Sequence, residues 1–360
     1  MEIKETINKE LKLLVAFKES KRNWHIPLLA AICLGTPLLI GLYFDNLQNG
    51  LFACLSGMVI LYLPTSGSLT NRMITILVSS FGFMVSFTIG LIFSFNPIVS
   101  ALIFGLYSIT IHWIVLYYKT SPPGSFFFIL IAAMSSCQPF DLSAIPVKAG
   151  LIGLGTMYTC LLALIYTLVT TKNTSSTKIT PVLKKNNYAD FVEALIVGGF
   201  MAIALSLGHL LKFSNPYWIP ISCAAVMQGA SLHHIWQRTM QRITGTFIGL
   251  ALCWGLLSLI DAPLSICITI IILQFIIEML VVRQYALAVI FITPLTVLLA
   301  EAANPLIQDS NALIALRFWE ITIGSILGTV GGWVLYKEKI RYASIRGVQK
   351  LHLGVKKKIK

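Results

Sequence analysis

From residue 73 to residue 118 the chain carries no aspartate, glutamate, lysine or arginine, and only Asn96-Pro97 interrupts the run. An α-helix needs about twenty apolar residues to cross the ~30 Å hydrocarbon layer of a bilayer. This stretch holds two such lengths back to back. Hydrocarbon offers no partner to a backbone N–H or C=O, so a chain that lives there closes its hydrogen bonds within helices or a sealed barrel. The runs are too long and too uniformly apolar for the alternating strands of a barrel. The fold class expected is therefore all-α, a polytopic membrane protein. Composition agrees: 56% of residues are hydrophobic and 11% are charged, against about 25% charged in soluble domains.

Apolar runs are read at 25–44, 50–63, 73–95, 97–118, 124–137 and 146–170, then at 191–211, 216–228, 240–260, 264–282, 285–300 and 312–336. That is about 12 transmembrane helices, expected as two six-helix parallel repeats. The chain then divides into a cytoplasmic amphipathic segment (1–23), a first membrane half (24–170), a linker (171–187), a second half (188–336) and a basic tail (337–360). Residues 1–23 have none of the short basic start and brief apolar core of a signal peptide.

The net charge of +13 does not point to nucleic acid, because the cations gather at the ends and in short connections rather than on one soluble face. They obey the positive-inside rule instead. With an even number of spans the termini, the linker and alternate loops share one side. Only Lys148, Lys212 and Arg317 of the 27 lysines and arginines fall opposite. Both termini are expected on the cytoplasmic side. The seven cysteines all lie in apolar runs without CxxC spacing, and read as small hydrophobes. No metal site and no cofactor is expected.

Corresponding runs recur along the chain. Lys148 and Gly155 match Arg317 and Gly324 at one offset, and Gly82, Ser86 and Gly90 stand where the second half has Gly245 and Gly249. In repeat-built transporters the binding site lies at short or Gly/Pro-broken segments in equivalent places. Four qualify: 50–63, 216–228 with Pro216 and Pro220, 124–137, and 285–300 broken at Thr293-Pro294. They either line a central cavity or are short, tilted packing helices.

Candidate residues follow from spacing and cost. Arg238 and Arg242, four apart, share a face at the start of a helix. They serve either as membrane anchors or as a bidentate clamp for a carboxylate. Trp218, Pro220, Thr293 and Pro294 join them as substrate-binding candidates. Glycines at GxxxG spacing, Gly245 with Gly249 and Gly324 with Gly328, read as helix-packing positions. Ionisable groups inside spans are expensive and so are candidates for proton coupling: Glu320, Glu193, Glu278 and His112. Arg317, one turn before Glu320, offers it an ion pair, while Arg283 and Lys185 stand near Glu278 and Glu193. His233-His234 reads as a loop pair with little metal-binding character. Trp24, Trp113, Trp218, Trp319 and Trp333 read as interfacial anchors.

The series Pro216-Tyr217-Trp218-Ile219-Pro220, Arg238-x-x-x-Arg242-x-x-Gly245-Thr246-x-x-Gly249 and Tyr285-Ala286-Leu287-Ala288-Val289 leading to Thr293-Pro294 resembles the fusaric acid resistance protein family, over residues 190–336. The first half keeps only Arg72 of the arginines. The resemblance implies proton-driven efflux of small aromatic or amphipathic organic acids. The partners expected are a small organic anion and the lipid bilayer, and a homo-oligomer is compatible with the sequence. A passive organic-anion channel and a non-transporting component of envelope assembly are the alternatives. No Ser/His/Asp series, HExxH or phosphate loop marks an enzyme.

Overall fold

The computed structural model describes residues 17, 19, 22–170, 187–260, 262–303 and 310–337, with side chains omitted for 187 and 300–314. The N-terminal segment, the linker and the basic tail expected from the sequence lie almost wholly outside the described residues.

Every regular element among the described residues is a helix. In chain order these are α1 (His25–Tyr43), α2 (Leu47–Ser56, continued by a 3₁₀ turn, Gly57–Tyr62), α3 (Leu69–Ile92), α4 (Pro97–Tyr117), α5 (Phe126–Ser136) and α6 (Ile145–Thr170). There follow α7 (Asn187–Leu210), α8 (Trp218–Met227), α9 (Leu232–Leu257), α10 (Pro263–Leu280), α11 (Tyr285–Ala303) and α12 (Ser310–Tyr336). Eight of them are long and apolar enough to cross a membrane, and the shorter apolar helices are α2, α5, α8 and the apolar part of α11. These four fall where the sequence places its short segments. The chain is a multi-pass membrane protein.

Local chemistry sets the boundaries. Pro97 and Pro263 open α4 and α10, where a missing N–H costs nothing. Asn96 caps α4 by accepting from Ile98 N and Val99 N. Ser231 caps α9, its hydroxyl accepting from His234 N at 3.3 Å. That cap starts the helix eight residues earlier than the apolar run at 240 suggested. His233 and His234 therefore lie in a first helical turn rather than a loop, and Arg238 and Arg242 lie inside the helix rather than at its start. After α1 and α7 the chain stops in the same way. Asp45 and Lys212 take left-handed conformations (φ 51° and 54°). The next residues, Asn46 and Phe213, return their N–H groups to the carbonyls of Gly41 and Gly208.

The contacts define two compact units, and each draws on both halves of the sequence. The first contains α1, α2, α6, α10, α11, most of α9 and the beginnings of α3 and α12. Within it α1 packs on α2, α6 and α10, and α11 packs on α10 and α2. Leu34, Leu38, Leu51, Cys267, Leu273 and Leu298 form its core. The second contains α4, α5, α7, α8, the start of α9 and the ends of α3 and α12. There α4 packs on α7 and α5, and α8 on α7 and α5. The short helices are thus core elements of the two units. All ten residues of α8 are buried. Trp218 goes with them at 7% exposed, unlike the exposed Trp24, Trp319 and Trp333, so it is no interfacial anchor.

Glycines allow the short helices to be gripped so closely. A Cβ on Gly155 of α6 would come within 2.4 Å of the Ala53 carbonyl and would strike the Ser56 hydroxyl of α2. In the second unit a Cβ on Gly324 would lie 2.4 Å from the Ile219 carbonyl and 2.7 Å from Ser222 Cβ of α8. Gly249 meets Ile290 O and Thr293 of α11, and Gly90 meets Ala132 O and Ser135 of α5. The GxxxG positions are contact points, Gly245 on Ala286 and Val289 and Gly328 on Cys223 and Val226.

A Gly324→Ala or Gly249→Ala substitution pushes a methyl into backbone and is expected to cost about 1–3 kcal/mol, the usual cost of overpacking. Gly199→Ala, where nothing lies within 4 Å, should be neutral or slightly stabilising in a helix. Thermal unfolding of the detergent-purified variants separates the two; equal transition temperatures would show that the contacts carry no weight.

Candidate functional site

One set of polar groups in the first unit gathers along one face of α11. Positions 285, 289, 293 and 296 recur at three- and four-residue intervals and so stack on one side of the helix. At its beginning stand the two arginines of α9. Arg242 donates from Nη1 to the Tyr285 hydroxyl at 3.1 Å, and the Arg238 guanidinium lies over the Tyr285 ring, 4.9 Å from its centroid. Arg242 is 5% exposed. Gly245 and Gly249 then let α9 lie against α11 along Val289 and Thr293. Thr293, 1% exposed, donates its hydroxyl proton to Val289 O at 2.9 Å. Farther on, Arg317 Nη2 donates to Thr296 Oγ1 at 2.7 Å. Arg317 Nη1 lies 3.8 Å from Glu320, whose side chain is 2% exposed.

Thr293 is followed by Pro294, which has no N–H for the Ile290 carbonyl one turn back. Gly249 sits where any Cβ would come 2.6 Å from that oxygen. The first unit repeats the device at α1. Pro37 deprives the Cys33 carbonyl of its donor, and a Cβ on Gly57 would come 2.6 Å from that carbonyl. At these two positions a glycine brings Cα–H against an oxygen that its own helix leaves unbonded.

Two further charged clusters sit elsewhere. In the second unit His112 of α4 shares Nδ1 with the Ser125 hydroxyl at 2.7 Å, and its Nε2 is 3.7 Å from Glu193 of α7. Trp113 and Phe191 cross edge-on beside them. The distance from Glu193 is that of an ion pair rather than a hydrogen bond. In the first unit Arg22, just before α1, lies 2.9 Å from Glu278 of α10, which also accepts from Gln274 at 3.3 Å.

The structure thus sorts the expected residues. Arg238, Arg242, Thr293 and Pro294 come together between α9 and α11, while Trp218 and Pro220 are buried in the second unit. Of the coupling candidates, His112 and Glu193 meet each other. Glu320 has the expected Arg317. Glu278 is paired with Arg22, not the nearby Arg283, and Lys185 lies outside the described residues. The sequence reading missed Tyr285 as a site residue, although the motif contained it. Its signal was the aromatic side chain at the first position of a helix. Arg22, Ser125 and Thr296 gave no such signal, since their partners, 256, 13 and 21 residues away, stand on other helices. Among the described residues no three His, Cys, Asp or Glu side chains are placed to hold a metal, and the cysteines are free thiols.

Residues 201–331 match the family described as fusaric acid resistance protein-like, in agreement with the resemblance carried by the proline, arginine and glycine motifs. The chain is also 36% identical, over 146 residues, to an uncharacterized membrane protein, YvaC, of Bacillus subtilis (strain 168). That stretch is 41% of this chain and 23% of the relative, so the chain spans well under half of the protein it matches. No solved structure matches.

Replacing Arg317 with Ala removes a guanidinium 3.8 Å from the buried Glu320 carboxylate. Breaking a buried pair from one side costs about 3–5 kcal/mol, so Arg317→Ala should unfold well below the wild type in a detergent melt, with Arg317→Lys in between. A melting temperature of Arg317→Ala equal to the wild type would mean that Glu320 does not depend on that cation.

Proposed function

We propose that this protein is a secondary transporter that exports small aromatic or amphipathic organic acids across a bacterial inner membrane, driven by the proton gradient. The observation that carries the reading is the pair Arg238 and Arg242, held on one helix face and converging on one aromatic ring. A guanidinium bonds a carboxylate with fixed, charge-assisted geometry and stacks on an aromatic face. The pair has both chemistries that an aromatic acid requires. Thr293 and Pro294, two turns farther along α11, join the pair as candidates on the same helix contact. Trp218 and Pro220 enter the reading separately, by their place in the family motif alone.

The reading includes twelve spans in two six-helix repeats related by an axis along the membrane normal, with both termini in the cytoplasm. Equivalent packing supports the repeat. Gly155 on Ala53 and Ser56 recurs as Gly324 on Ile219 and Ser222, and Gly90 on Ala132 and Ser135 recurs as Gly249 on Ile290 and Thr293. The left-handed stops at Asp45 and Lys212 recur likewise. The lysines and arginines, gathered on one side by the span count, support the orientation.

The same repeat singles out a proton-coupling pair. His112 and Glu278 stand at the same distance from the prolines that open α4 and α10. Each faces an opposite charge: Glu193 for His112, Arg22 for Glu278. Arginine keeps its proton at all physiological pH, whereas histidine exchanges its own near neutrality. Glu278 and Glu320 are each held beside an arginine. Glu193 faces a histidine instead, and the reading assigns proton coupling to the His112–Glu193 pair.

In proteoliposomes loaded with 4-hydroxybenzoate, an imposed pH gradient should drive efflux. The Arg238→Ala, Arg242→Ala double variant should lose roughly tenfold or more, since each charge-assisted bond is worth about 1.5–3 kcal/mol. His112→Gln should leave substrate binding in place and abolish the response to the gradient. Efflux by the arginine double variant at the wild-type rate would sink the substrate role, and gradient-independent unitary currents in planar bilayers would replace the exporter by a channel.

A further inference from the structure

The two arginines on which the exporter reading rests already hold an aromatic side chain of the protein itself. The Tyr285 ring lies under the Arg238 guanidinium at 4.9 Å, and its oxygen accepts from Arg242 at 3.1 Å. A ring on one guanidinium and an oxygen on the other are the contacts that a benzoate-like anion would make. We infer that Tyr285 is a built-in occupant of the aromatic-acid subsite, a side chain that the substrate displaces and that thereby sets the affinity a ligand must reach.

Three features make the tyrosine exchangeable. It is the first residue of α11 and only partly buried, so its ring can turn about the side-chain bonds without moving the helix. The helix start is held independently, because the Gln284 side chain accepts from Leu287 N. The phenol is also a weaker ligand than a carboxylate, since it offers one neutral oxygen where the anion offers two charged ones. A carboxylate with a ring replaces both of the tyrosine's contacts and gains charge. An aliphatic carboxylate replaces the oxygen but leaves Arg238 without its ring, so it meets the same displacement cost with fewer contacts and stays the weaker ligand.

The arrangement occurs in only one of the two matched helix pairs. By the offsets that match Gly90 to Gly249 and Ala132 to Ile290, Tyr285 corresponds to Phe127, while Arg238 and Arg242 correspond to Ser79 and Phe83. The first-half equivalents have no cation and no phenol. The inference is therefore of one subsite per chain, on α9 and α11. It rests on the exporter reading for its substrate class, but its test is of binding.

The test uses the full chain in detergent, with benzoate and cyclohexanecarboxylate as probes. Benzoate affinity, by calorimetry and by the rise in unfolding temperature, is compared in wild type, Tyr285→Phe and Tyr285→Ala. Removing the competitor should tighten benzoate roughly tenfold in Tyr285→Ala, the effect of about one lost contact of this kind. Tyr285→Phe, which keeps the ring and loses the oxygen, should fall between. Cyclohexanecarboxylate should gain by a similar factor and remain the weaker ligand, because the displaced side chain costs both acids the same. Unchanged or weaker benzoate binding to a Tyr285→Ala protein that elutes as a single folded species overturns the inference, and so does an unchanged affinity in Tyr285→Phe if the alanine variant does not fold. Tighter benzoate with no gradient-driven efflux in the wild type keeps the subsite and removes the exporter. Efflux with identical affinities in all three keeps the exporter and removes the tyrosine's role.

Discussion

Most of this structure answers one constraint: a backbone carbonyl at membrane depth must find a donor without water. Helices meet it, and among the described residues proline breaks the ladder from inside a helix at Pro37 in α1 and Pro294 in α11. At both places a glycine of a neighbouring helix, Gly57 or Gly249, comes up to the stranded oxygen. No larger residue could approach so near. The need to satisfy one oxygen therefore fixes which helices touch, at what height, and with which residue. The α9–α11 contact that carries the arginine pair is one of these two seats.

From that contact the polar chemistry is laid out along α11. Tyr285, Thr293 and Thr296 repeat on one side of it, and their partners come from α9 and α12. Buried charge without packing around it would be costly in hydrocarbon. Here each cation is met by a ring, a hydroxyl or a carboxylate within one helix diameter. The other two ion pairs, His112 with Glu193 and Arg22 with Glu278, occupy matching places in the two units with their signs reversed. Only one of the two includes a histidine.

The helical class and the placing of the elements were legible in the sequence because hydrophobic run length is a local property. So were the four short helices, whose brevity the apolar runs at 50–63, 124–137, 216–228 and 285–300 already carried. The start of α9 was not, because Ser231 and its polar first turns extend the helix beyond its apolar part. The core position of α8 was also hidden: ten apolar residues look alike whether they face lipid, a cavity or other helices. Arg238 and Arg242 could be named from their spacing, but not Tyr285 as their partner, since that contact spans more than forty residues and depends on how α9 and α11 lie. Run length says nothing of which helices pack together, so the exchange of segments between the units was beyond reach of the pattern.

That exchange bears on how the molecule is made. α1 leaves the ribosome well before α10, its partner in the first unit, which is synthesised more than two hundred residues later. At about 5–20 residues per second, α1 waits on the order of ten seconds or more before that partner exists. During the delay its flank toward α10, with Gly35 shaped to receive Ile271, faces lipid or a temporary neighbour. Insertion into the bilayer and assembly of the units are therefore separate events in time. The flank of α1 that faces α10 stays unassembled in the membrane until α10 has been made.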